Sequence, residues 1–188
     1  MDLNKSNFAN ILYEVAEEEG IRIESFSDDW AHRLNKDGII RYIVGYQFPL
    51  NSGSVRELCQ DKALTYGMLN DAGIPASTHL FLPNDEGSAE ASVEAHEYIA
   101  EIMLKMYGTI VIKDNYGTGG NKVFRASDPE EYRRIMKNIY TSSYAASISP
   151  FLDIENEYRI IMLKDEPMLV IRKDRPFTVG DDGKRVYT

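Results

Sequence analysis

The sequence predicts a mixed α/β fold, between α/β and α+β in class, on three observations. Apolar residues switch repeatedly between helical and strand spacing along the chain. No internal repeat is present. The 188 residues are 43% hydrophobic and 27% charged, with 13 Gly and 7 Pro, the composition of a packed globular protein of one to one and a half domains.

Phe8, Ile11, Leu12, Val15 and Ala16 recur at helical spacing between Ser6, a candidate N-cap, and Gly20, a stop. The β-type run IRIESF follows, then a helical stretch around Trp30 to Leu34, then the β-rich IIRYIVGY, so the opening reads as alternating helix and strand. SVRELCQDKALTYGMLNDAG reads as one helix stopped by Gly73, with Ile74-Pro75 as an extended exit and THLFL as a strand. After the turn-rich PNDEGSAEAS, a helix is expected over 92–107. TIVIKDNYGTGGNKVFRA then reads as strand, glycine-rich turn, strand. Asp128 and Pro129 fit the N-cap and first position of helix EEYRRIMKNIY, whose Tyr132, Met136 and Tyr140 share a core-facing stripe. Strand YAASISPFL and the hairpin EYRIIML-KDEP-MLVIRK complete the pattern.

Lys plus Arg number 21 against 30 Asp plus Glu, a net charge of −9, which disfavours non-specific adhesion to nucleic acid or anionic membrane. An anionic ligand therefore needs a local basic pocket. Cys59 alone forms no internal disulfide, and the first twenty residues lack the basic flank and apolar core of a signal peptide, so a cytoplasmic location is expected. No apolar run approaches the roughly 18 residues of a membrane-spanning helix. His32, His79 and His96 are dispersed, and no transition-metal site is expected.

The segment Gly117-Thr118-Gly119-Gly120 joins two strands, which excludes a Rossmann fingerprint, and the Gly183-Lys184 pair is followed by Arg185, which excludes a Walker A loop. Such a hairpin tip is either a plain surface turn or a set of backbone amides able to close over phosphates. Lys113, at the end of the strand entering it, places a point charge where those phosphates would lie. Lys62, at a helix start, is functional only in combination with them.

DKALTYGMLNDAGIPAS, VIKDNYGTGGNKVFRA and SISPFLDIENEYRIIMLKDEPMLVIRK, in that order and spacing, resemble the ATP-grasp superfamily. The DKALT helix, the EYR strand and the ending RPFTVGDDGKR are similar to the ATP-grasp modules of cyanophycin synthetase and bifunctional glutathione synthetases. The resemblance implies an N-terminal α/β region over 1–73, a small lid subdomain with its glycine-rich β-hairpin over 74–148, and the start of a C-terminal subdomain over 149–188. ATP would lie between the last two. Lys62 and Lys113 match the two lysines that contact ATP phosphates, and Gly117, Thr118, Gly119 and Gly120 match the phosphate-covering loop. Ser149-Pro150-Phe151-Leu152 falls on the adenine-binding connection; Pro150 has no N–H, which leaves the Leu152 amide to read the ring. Glu157, or Glu155 in a shifted register, matches the ribose carboxylate. Arg172, Lys173 or Arg175 would face the transferred phosphate.

Two departures from the family pattern stand out. Asp114 follows Lys113 where a proline is usual, adding negative charge near the phosphates, and the family's Mg²⁺ ligands should lie downstream of Thr188. The expected function is an ATP-dependent carboxylate-amine ligase working through an acylphosphate, with this chain its amino-terminal part and inactive alone. The alternatives are a nucleotide-binding module without turnover and an acidic α/β interaction domain. ATP, Mg²⁺ and a small carboxylate and amine of amino acid or peptide type are the implied partners. Two strands without sheet neighbours, 157–163 and 167–173, would also allow pairing with another copy.

Overall fold

The computed structural model describes residues 7–85, 88–174, 177–179 and 185–187. Helix α1 (Asn7–Glu18) buries Ala9 and Ala16 and lies against an antiparallel meander of β1 (Arg22–Phe26), β2 (Ala31–Lys36) and β3 (Ile39–Val44). The stretch around Trp30 to Leu34 is thus a strand, not the expected helix. Turn chemistry decides this. Asp37 and Gly38 both take positive φ, 52° and 80°, the conformation of a tight hairpin, and the Gly38 amide donates to the Asn35 side chain. Register then sets Arg33 opposite Glu24, and the two side chains form an ion pair at 2.7 Å.

The expected single helix over 54–73 is broken. Asp61, extended at φ −87° and ψ 109°, ends α2 (Gly53–Gln60) and caps α3 (Lys62–Asp71), its carboxylate accepting from the Leu64 amide at 2.8 Å. An aspartate satisfies a free helix N–H better from the cap than from a helix interior, so the chain turns there.

β4 (Leu80–Pro83) precedes α4 (Ala89–Tyr107), which starts three residues earlier than expected because Ser88 caps it. β5 (Ile110–Asp114), β6 (Val123–Ala126), α5 (Pro129–Tyr140) and β7 (Ala145–Pro150) follow, with Asp128 as the N-cap of α5, as expected. The four strands form one antiparallel sheet in the order β4-β7-β5-β6. Both helices cover one face, where Leu82, Ile110, Ile112, Tyr132, Met136 and Ile148 are buried. Because side chains alternate along a strand, Val111 and Lys113 point to the opposite face.

β8 (Glu157–Leu163) and β9 (Glu166–Lys173) form the expected hairpin, with a register shift at Ile161/Met162. Every residue of both strands is exposed, apolar and polar alike. Phe177–Val179 and Arg185–Tyr187 pair antiparallel as well.

Burial separates the two sheets energetically. Ile148→Ala, at a fully buried position, should cost about 2 to 5 kcal/mol of stability. Ile160→Ala, at a position 55% exposed, should change stability by about 0.5 kcal/mol or less. Urea denaturation midpoints of the two variants check the difference.

Candidate functional site

The first turn of α3 is seated on the chain as it leaves β5. The Lys62 amide donates to the Asn115 carbonyl at 3.3 Å, and the Asn115 side-chain carbonyl accepts from the Ala63 amide at 3.2 Å. Asn115 is itself fully buried, with its amide donating to Ala145 in β7. Tyr116 reaches back, its hydroxyl donating to the Asp61 carboxylate at 3.0 Å. The Lys62 ammonium completes the junction by donating to three carbonyls, Asp114 at 2.9 Å, Asn115 at 3.0 Å and Gly117 at 2.6 Å. Gly117 suits this crossing, because a Cβ there would press on the Asp114 Cβ at 3.0 Å.

Lys113 projects from the open face of β5, half-buried, with its ammonium 3.3 Å from His79 Nε2. The other imidazole nitrogen of His79 lies 2.9 Å from the Ser77 carbonyl, which can only accept. Nδ1 therefore carries the proton, and Nε2 accepts from Lys113. Burial lowers the His79 pKa, as do Lys113 and Lys62 nearby, and outweighs the Ser77 hydrogen bond that favours the charged ring. The ring is neutral at pH 7. Burial also lowers the pKa of Lys113, and that of Lys62, where Asp114 and Asp61 oppose the shift. Across the β5–β7 ladder from Lys113 stands Ser147, whose buried hydroxyl has no partner among the described residues. A cleft of about 240 Å³, lined by Lys62, Thr65, Tyr66, Ser77, His79 and Cys59, opens beside Lys62 and the His79 ring.

Asp114 does not crowd this face. One carboxylate oxygen accepts from the Ser143 hydroxyl at 2.7 Å and the other from the Tyr116 amide at 3.0 Å, so the charge is turned to the helix side and organises the loop entry. Within the loop, Thr118, Gly119 and Gly120 are exposed, with φ of 67° and 78° at the two glycines. Their amides donate to no carbonyl among the described residues.

At the end of β7 the Phe151 amide donates to the Thr109 carbonyl at 3.0 Å, and its ring lies under the Arg125 guanidinium, 3.8 Å from the ring centroid. The Leu152 amide is the next along the chain. Glu157 and Lys173 face each other across the hairpin as an ion pair, and Arg172 pairs with Asp174 at 3.1 Å. Structure thus joins Lys62, Lys113 and Gly117 in one place, and Glu157 with Lys173 in another. Arg175 and Ser6 lie outside the described residues. Sequence reasoning missed His79, Asn115 and Arg125. None of them stands in a motif of its own; their roles come from register and from the seating of α3.

No family profile and no curated protein matches the sequence. Solved structures do match in shape. A bifunctional glutathione synthetase from Pasteurella multocida superposes with a TM-score of 0.51 at 19% identity, over 93% of this chain and 23% of that one. D-alanyl-alanine synthetase A from Vibrio cholerae O1 biovar eltor str. N16961 superposes with a TM-score of 0.52 at 12% identity, over 95% of this chain and 58% of that one. The fold is of the ATP-grasp type. This chain spans about a quarter of one of these ATP-grasp structures and under two thirds of the other.

The residues present fit a polyphosphate better than a metal. Two cations, one unpartnered buried hydroxyl and exposed loop amides lie near the end of central strand β5, whereas no three His, Cys, Asp or Glu side chains cluster among the described residues. No helix of the described residues is long and apolar enough to cross a membrane.

Asp61 makes the junction pH-dependent. Burial alone would raise its pKa, but hydrogen bonds, chiefly from the Leu64 amide, lower it below 3.8. A carboxylate with a depressed folded-state pKa adds stability that is present above the unfolded pKa and is lost as pH falls through the folded one. Asp61→Asn should therefore flatten the acid limb of the stability curve below about pH 4, as followed by thermal melts across a pH series.

Proposed function

We propose that these residues form the phosphate-binding half of a nucleotide site in an ATP-dependent carboxylate-amine ligase. The observation that carries the reading is the pairing of Lys62 and Lys113 beside a glycine loop with free amides, in a chain whose net charge is −9. Neither lysine is paired with a carboxylate among the described residues, so each keeps its charge for a ligand.

Lys113 would meet the phosphates directly. Lys62 would reach them by exchanging loop carbonyls for phosphate oxygens, and the amides of Thr118, Gly119 and Gly120 would close over the same group. With the Phe151 amide committed to Thr109, Leu152 is left to donate to the adenine ring. Glu157 would take the ribose hydroxyls on leaving Lys173, which with Arg172 would face the transferred phosphate. In the proposed reaction a substrate carboxylate oxygen attacks the γ-phosphorus and ADP leaves. An amine then attacks the acyl carbon, phosphate leaves, and the amine nitrogen loses a proton. Mg²⁺, when bound to ATP, would add charge neutralisation; the chain's own residues align the phosphates and neutralise developing charge. No side-chain nucleophile is required.

Calorimetric titration with MgATP tests this. Lys113→Ala and Lys62→Ala should each weaken binding by about 1.5 to 3 kcal/mol, roughly tenfold to a hundredfold, with unchanged folding. The exposed amides of Thr118, Gly119 and Gly120 should exchange hydrogen quickly and become protected when nucleotide is added. Tight binding by both variants would exclude the assignment. Binding without carboxylate- and amine-dependent release of phosphate by the whole protein would leave a nucleotide-binding module in place of a ligase.

A further inference from the structure

We propose that His79 is the positioning residue for Lys113: its neutral imidazole holds the ammonium over the open face of the sheet without cancelling its charge. The inference rests on the nucleotide reading and adds a residue to it.

Three observations support it. Ser77, two residues earlier, accepts from Nδ1 at 2.9 Å and so fixes which nitrogen is free to accept from Lys113. The Lys113 ammonium has His79 as its hydrogen-bond partner among the described residues, at 3.3 Å. Burial and two neighbouring cations keep the ring uncharged, and the same cleft places Cys59, Tyr66 and Lys62 around it with no carboxylate among its lining residues.

A free lysine side chain loses rotamer entropy when it is ordered on binding, which weakens the contact it makes. A carboxylate would order the chain but neutralise it, as Glu157 does for Lys173 in the hairpin. An imidazole acceptor orders it and leaves the full positive charge. Its anchor is independent of the glycine loop, since Ser77 and His79 lie on the approach to β4 whereas Lys62 is tied to the loop itself. Loop opening can therefore move Lys62 without moving Lys113.

The test has two arms, both on the full chain. In the first, imidazole ¹⁵N spectra are recorded at pH 8 without nucleotide. The inference requires His79 to be the Nδ1–H tautomer with a hydrogen-bonded Nε2 whose resonance shifts in Lys113→Met. An Nε2–H tautomer, a charged ring, or a resonance indifferent to Lys113→Met overturns it. The second arm titrates MgATP and AMP. His79→Leu should weaken MgATP about tenfold and AMP less than twofold, and His79→Gln, which retains an acceptor, should recover most of the loss. In a Lys113→Ala background His79→Leu should add less than a further twofold; additive effects, equal losses for both nucleotides, or no rescue by glutamine overturn the inference. If Lys113→Ala itself leaves MgATP binding unchanged while the imidazole pairing holds, the nucleotide reading fails instead.

Discussion

The site depends on the seating of the first turn of α3 against the residues that leave β5. Helix starts carry unsatisfied N–H groups, and here Asp61 takes the Leu64 amide while Asn115 takes those of Lys62 and Ala63. Asn115 does so from a fully buried position, pinned in turn by Ala145, so the junction ties α3 to the central strands of the four-stranded sheet. Without it Lys62, 55 positions before Gly117 of the glycine loop, would have no fixed relation to Lys113. Asn115 Oδ1 and both its main-chain groups are bonded, which favours this one arrangement of the junction, while its buried Nδ2 has no partner among the described residues.

Electrostatics follow from that geometry. The chain is strongly acidic, and several of its basic groups are held by carboxylates, as Arg33 is by Glu24 and Arg172 by Asp174. Lys62 and Lys113 are held by neutral acceptors, backbone carbonyls and an imidazole. Their positive potential is therefore available locally, at a partly buried site where screening by water and salt is weaker than at the open surface.

The sheet divides its labour by face. Along β5, Ile110, Ile112 and then Asp114 lie toward the helices, whereas Val111 and Lys113 lie toward the open side. Strand alternation turns adjacent residues of opposite charge, Lys113 and Asp114, into a ligand-facing cation and a loop-organising anion. The hairpin of β8 and β9 has no comparable cover: its apolar residues are as exposed as its charges, and its ion pairs are internal to it.

Much of this was determined by local sequence. Asp128-Pro129 marks the start of α5, the alternating TIVIK and KVFRA runs bracket a glycine turn, and the order of lysine, glycine loop and EYR strand carries the ATP-grasp resemblance. These signals are legible because caps, periodicity and turn residues act over a few positions. Tertiary structure alone decided the rest. Ala31 to Leu34 became strand because they pair with Arg22–Phe26 on one side and with β3 across the Asp37-Gly38 turn on the other, and the helix over 54–73 divided at Asp61 because the new N-terminus had Asn115 and Tyr116 to meet. His79 gained its role by facing a lysine 34 positions away, a relation set by packing that no local pattern records.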